Sequence, residues 1–174
     1  IVAPVAMAVV ASAREGLRAA HRATMVQLRS PGMTARELEA NAIELVGACP
    51  VPVVISSRCD IALASGAAGV NLPERDISVQ DARALLGQRL IGRSVHSLQS
   101  AVEAEQDGAD FVIFGPVWAS ESHKGVRPAG VVALAAVAHA VGIPVIAIGG
   151  VTEDRIAECD AAGAAGYAAI RLFQ

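Results

Sequence analysis

The sequence predicts a compact (β/α)8 barrel, and three observations carry that prediction. Short apolar runs alternate with amphipathic segments along the whole chain. The strand-like runs are nearly pure Val, Ile, Leu and Ala, as parallel strands covered on both faces must be. No shift of composition marks a second unit, so residues 1–174 read as a single barrel domain. A doubly wound open sheet is the second choice.

The elements follow in order. Val5–Ala11 is a buried-strand run and Ser12–Arg22 a helix with Leu17 and Ala20 inward. Met25–Arg29 is the second strand, after which a capping box, Thr34-x-x-Glu37, opens the helix Ala35–Val46. Val53–Ser56 is the third strand, Asp60–Ser65 a short helix stopped at Gly66, and Gly69–Leu72 the fourth strand. Ser78-x-x-Asp81 resembles a second capping box; it starts the helix Val79–Leu86, which Gly87 ends. Leu90–Val95, Leu98–Gln106 and Phe111–Phe114 read as strand, helix and strand. Val131–Val141 is a helix closed by Gly142-Ile143-Pro144, and Val145–Ile148 an apolar strand running into Gly149-Gly150. Thr152 is expected to cap a helix over Glu153–Ala162, with acids in its first turn where the helix dipole favours them. Tyr167–Ile170 is the eighth strand. The eighth helix is expected to be short or missing, reduced to Leu172-Phe173-Gln174, because 174 residues fall below the roughly 250 of a typical barrel. Short loops and a clipped or disordered tail are expected for the same reason.

Composition narrows the function classes. Hydrophobic residues make up 53% and aromatic ones 3%, so small and branched aliphatics fill the interior. A net charge of -3 with scattered basic residues points away from nucleic acid and from an anionic membrane. No apolar run reaches the roughly 18 residues of a spanning helix. The opening IVAPVAMAVVASA looks like a signal-peptide core but lacks a basic flank, so it is read as a strand entering a helix. Cys49, Cys59 and Cys159 are odd in number and unclustered, which suits reduced thiols in a cytoplasmic protein.

Barrel chemistry happens at the carboxyl ends of the strands. There the second strand delivers Gln27 and Arg29 on one face, the third Ser56 and Ser57, and the fourth Asn71, with Glu74 and Asp76 just beyond. The fifth ends in Ser94 and His96. After Phe114 comes a polar loop of about fourteen residues, far beyond the usual 2–6, holding Ser120, Glu121, Ser122, His123, Lys124 and Arg127. Gly149-Gly150, together with Ile170 and Arg171 after the eighth strand, forms the candidate phosphate site, since glycine lets backbone N–H groups approach an anion. His123 is the favoured acid/base, with His96 second; each also has a plain reading, a solvated histidine for His123 and a helix-capping one for His96. Trp118 either walls a ring-shaped ligand or packs under the loop. His21 and His139 fall on helices and read as surface residues. No carboxylate pair, Cys/His dyad or His-rich metal cluster appears, and Asp76 is the single, weak candidate for a metal.

These residues resemble the thiamine phosphate synthase / TenI superfamily over nearly the whole chain from Met25 onward. The matching pieces are Val26-Gln27-Leu28-Arg29, Asp60-Ile61-Ala62-Leu63-Ala64 with Gly69-Val70-Asn71-Leu72, and Ser94-Val95-His96-Ser97-Leu98. Phe111-Val112-Ile113-Phe114-Gly115-Pro116-Val117 and Pro144-Val145-Ile146-Ala147-Ile148-Gly149-Gly150-Val151 complete the set. The resemblance implies thiamine biosynthesis and a small phosphorylated heterocycle, thiazole phosphate or thiamine phosphate, as partner, with a homo-oligomer left open. It places Gln27, Arg29, Ser56, Ser94, Ser120, Ser122 and Lys124 around the substrate.

Departures from the synthase pattern steer the mechanism. The Lys after Gln-x-Arg is Pro31 here, and the Asn-Asp ending the third strand is Ser56-Ser57. The second Mg2+ carboxylate survives as Asp76, and His123 replaces the first Lys of the sixth loop. Losing pyrophosphate-handling groups disfavours the synthase reaction, since one lost electrostatic donor costs about 2.7–4 kcal/mol. The first expectation is therefore a TenI-like thiazole tautomerase, moving a proton to aromatise a carboxythiazole phosphate with no cofactor, although the histidine of those tautomerases falls at Pro116. The second is a thiamine phosphate synthase that joins pyrimidine pyrophosphate to thiazole phosphate and needs Mg2+. A non-catalytic binder of a thiamine intermediate is the third.

Overall fold

The computed structural model describes residues 4–120 and 125–174. Eight parallel strands close into a barrel in sequence order: β1 (Val5–Val10), β2 (Met25–Leu28), β3 (Val53–Ser56), β4 (Gly69–Leu72), β5 (Leu90–Val95), β6 (Phe111–Phe114), β7 (Val145–Ile148) and β8 (Gly166–Ala169). Closure is explicit in the pairing, because β1 bonds to β2 through Met7↔Met25 and to β8 through Val5↔Gly166. An open sheet would leave those edges unpaired, so that alternative is excluded.

Seven α-helices cover the outside: α1 (Ala13–Ala19), α2 (Ala35–Ala48), α3 (Cys59–Ser65), α4 (Val79–Leu86), α5 (Leu98–Gln106), α6 (Val131–Ala140) and α7 (Ile156–Ala161). Ser12, Thr34, Ser78 and Ser97 each accept a backbone N–H at a helix start, and Thr34 with Glu37 completes a reciprocal capping box. Boundaries move by three residues or fewer from expectation. The seventh helix differs in kind. Thr152 makes no capping bond, and Glu153–Arg155 forms a 3-10 turn before α7 begins. The eighth strand starts one residue early, at Gly166, and Ile170 already has helical backbone angles. After β8 comes a 3-10 turn over Arg171–Phe173, pinned by Phe173 stacking on Tyr167 with ring centres 6.2 Å apart.

Strand alternation separates two apolar layers. One lies between barrel and helices. The other fills the lumen with Val5, Met7, Val9, Met25, Val54, Phe111, Ile113, Ile146 and Ala168. The Phe111 ring occupies space that only glycine at position 92 leaves open, since a Cβ there would fall 2.2 Å from it. Along β2 to β5 the same inward-facing row turns polar toward the carboxyl end, passing through Gln27, Ser56, Asn71 and Ser94. An apolar plug thus supports a polar mouth. Among the described residues no helix is long and apolar enough to cross a membrane.

Candidate active site

Two adjoining cavities open at the barrel mouth. The smaller, about 240 Å3, is walled by Gln27, Arg29, Ser56, Asn71, Glu74, Ser94 and His96 above Val9 and Ile113. Gln27 and Asn71 are the buried polar side chains of the described chain, each 3% exposed. Asn71 Nδ2 donates to Ser94 Oγ at 3.0 Å, while its Oδ1 has no partner among the described residues. A buried carbonyl left unpaired costs about 1–3 kcal/mol, so this atom is held ready for a donor that the described residues do not supply.

His96 lies at the rim. Its ring Nδ1 is 2.5 Å from the Gly115 carbonyl, which assigns a proton to Nδ1 and leaves Nε2 an acceptor in the neutral ring. Its own N–H lies 3.3 Å from both Glu74 Oε1 and Ser100 Oγ. The helix-capping reading of this ring is corrected: Ser97 and Ser100 cap α5, and the imidazole instead ties the end of β5 to that of β6.

The larger cavity, about 510 Å3, is walled by Gly149, Gly150, Ile170, Arg171, Ser120 and Arg155 among others. Gly149 and Gly150 have φ of +93° and +70°, angles at which side chains are strained. A Cβ on Gly149 would sit 2.5 Å from Pro116 Cβ, and one on Gly150 2.7 Å from Trp118 Cβ. Both turn carbonyls are occupied, Gly149's by the Trp118 N–H at 2.9 Å and Gly150's by Arg155 Nη1 at 2.7 Å. Among the described residues the amides of Gly149 and Gly150 have no acceptor. Ile148 and Ile170 border both cavities and form their common wall.

The sequence-predicted residues therefore sort cleanly. Gln27, Arg29, Ser56, Ser94 and His96 gather in the smaller cavity, and Ser120, Gly149, Gly150, Ile170 and Arg171 in the larger. Ser122, His123 and Lys124 lie outside the described residues. Trp118 borders neither cavity; it is half-buried against the core, over the glycine turn. His21 and His139 are exposed, His139 bonded to the Ala135 carbonyl of its own helix. Sequence reasoning missed Arg155, whose only local signal is its place five residues after the glycine pair.

Among the described residues no three His, Cys, Asp or Glu side chains gather as a metal cage. Glu74 walls the smaller cavity and Asp76 does not, but Asp76 stands close enough to the turn after β3 to act on Cys59. Burial first, and the Asp76 charge second, push that thiol above its ordinary value. One or two carboxylates fit a Mg2+ carried in on substrate phosphates, the mode this ion prefers to an all-protein site.

Comparison with known proteins settles the lineage. The family model described as thiamine monophosphate synthase matches residues 3–173. The chain belongs to the thiamine monophosphate synthase family. It is 37% identical over 152 residues to the thiamine-phosphate synthase of Chloroflexus aurantiacus, spanning 85% of this chain and 70% of that one. It is 40% identical over 164 residues to that of Anaeromyxobacter dehalogenans, spanning 92% and 73%. Among solved structures, thiamine phosphate pyrophosphorylase from Pyrococcus furiosus superposes with a TM-score of 0.86 at 29% identity, covering 95% of this chain and 84% of that one. Membership of this family favours the synthase expectation over the tautomerase one.

Proposed function

We propose that the chain is a thiamine phosphate synthase, joining a pyrimidine pyrophosphate to thiazole phosphate. The observation that carries this reading is the pair of cavities with a shared wall of Ile148 and Ile170. A displacement between two ring substrates needs two seats side by side. The thiazole phosphate seats its phosphate on the Gly149-Gly150 turn, and the pyrimidine lies over Gln27 and Asn71. The thiazole nitrogen then attacks the pyrimidine methylene carbon where the two cavities open into each other, beside Ile148 and Ile170, and the carbon–oxygen bond to pyrophosphate breaks with its electron pair leaving on oxygen. Holding both rings in line supplies much of the rate by proximity.

Arg29 is the cation of the smaller cavity and faces the departing pyrophosphate. Glu74 and Asp76 are the carboxylates that would hold a Mg2+ arriving with the pyrophosphate, and such an ion would supply positive charge to the leaving group. Pro31, Ser56 and Ser57 bring no charge to this task, so the synthase is expected to be slow. Mixing both substrates with the protein should release pyrophosphate and form thiamine phosphate only when Mg2+ is present. No pyrophosphate above a protein-free control, with Mg2+ at millimolar concentration, would reject the synthase reading.

One observation favours a second reading, thiazole tautomerisation: the His96 imidazole at the cavity rim, with Nε2 left to accept a proton. In that case carboxythiazole phosphate would aromatise without metal, and His96→Ala or His123→Ala would slow it by about 100-fold or more.

A further inference from the structure

The larger cavity contains a guanidinium that no expectation assigned. Arg155 stands where the chain leaves the glycine turn, half-buried, with its Nη1 donating to the Gly150 carbonyl at 2.7 Å. Its guanidinium carbon lies 5.2 Å from the centre of the Trp118 ring. That separation is within cation–π range, so the indole is a platform holding the fork in one plane. The Trp118 main chain is itself fixed, its backbone N–H donating to the Gly149 carbonyl at 2.9 Å, and its Cβ lies over Gly150.

We propose that Arg155, carried on Trp118, is a phosphate-binding residue of the larger cavity and the one that sets its preference for a phosphate monoester over the free alcohol. This inference rests on the proposed seating of thiazole phosphate there. Arg has five N–H donors, and one is spent on the Gly150 carbonyl. That bond orients the turn, and the remaining donors are left for anion oxygens in the bidentate geometry that guanidinium and phosphate share. Arg171 also lines this cavity; it is exposed, and among the described residues no aromatic ring lies beneath it, so it must be ordered on binding. Arg155 is ordered beforehand and loses less freedom.

The chain contains one tryptophan, which makes the test direct. Thiazole phosphate and its dephosphorylated alcohol are titrated into wild type, Arg155→Met and Arg155→Lys, following tryptophan emission and heat of binding. Thiazole phosphate should change the emission of the wild type. Arg155→Met should weaken thiazole phosphate by roughly 10- to 100-fold, as expected for one lost charge-assisted contact, and leave the alcohol within about twofold. Arg155→Lys, which keeps the charge and loses the fork, should fall between. Equal binding of thiazole phosphate by wild type and Arg155→Met would overturn the inference. So would equal weakening of phosphate and alcohol, the signature of a purely structural residue. A wild type that binds neither compound would defeat the seating of thiazole phosphate, and this inference with it.

Discussion

Asn71 is held in place by one half of its amide. Its Nδ2 is satisfied by Ser94, and its buried Oδ1 faces no donor from the described chain. A group selected for stability alone would be apolar here, since an unpaired buried carbonyl costs about 1–3 kcal/mol. Replacing Asn71 by Leu, which keeps the branched outline of heavy atoms without the polar ones, should leave the melting temperature unchanged or raised while cutting turnover of the pyrimidine substrate by about tenfold or more. Thermal unfolding alongside initial rates checks both halves, and a variant that loses stability without losing rate would assign Asn71 to the core. The neighbours of Asn71 were readable beforehand, because period-two alternation places Gln27 with Arg29, and Ser94 with His96, on the lumen face. The role of Asn71 was not, because an unsatisfied atom is visible only when its surroundings are known. Arg155 escaped for a related reason. Its meaning depends on Trp118, which is distant in sequence and adjacent only once β6 and β7 pair.

At the scale of elements, the turn between β7 and the Glu153–Arg155 helix carries the phosphate argument. The glycine pair is needed twice over, once for its positive φ and once because Pro116, Trp118 and Ala119 crowd the space a side chain would take. Gly150→Ala should therefore destabilise the protein by about 1–3 kcal/mol and abolish thiazole phosphate binding, readable by urea unfolding and calorimetry. Unaltered binding in a folded variant would remove the turn from the phosphate site. The position of the turn was legible from the apolar strand before it, but the geometry after it was not. Thr152 looks like a helix cap in sequence, yet it makes no capping bond; a 3-10 turn intervenes, and Arg155 at its end donates back to the Gly150 carbonyl.

For the molecule as a whole, continuous apolar strands alternating with helices foretold a parallel sheet covered on both faces, and eight such units favoured a barrel over a doubly wound sheet; the pairing of Val5 with Gly166 decides between them. The barrel's stability should carry one alkaline signature. Cys159 is fully buried on α7, and burial first, with Asp160 and Glu158 second, pushes its thiol up from 9.0 to about 11. The unfolded chain therefore ionises first as pH rises. Stability from this group is intact below about pH 9 and declines by about 2–3 kcal/mol on approaching pH 11. Tyr167, also raised by burial, adds in the same direction. Urea unfolding at pH 8 and pH 11 should show the decline, and Cys159→Ala should flatten it.

Two cavities that share Ile148 and Ile170 should seat two substrates at once. A crystal structure with thiazole phosphate and an unreactive pyrimidine pyrophosphate analogue tests it most directly. Phosphate oxygens should lie within hydrogen-bonding distance of the Gly149 and Gly150 amides and the pyrimidine over Gln27 and Asn71, with Ile148 and Ile170 touching both rings from one side. Both rings competing for one cavity, or a phosphate bound away from the glycine turn, would contradict that arrangement.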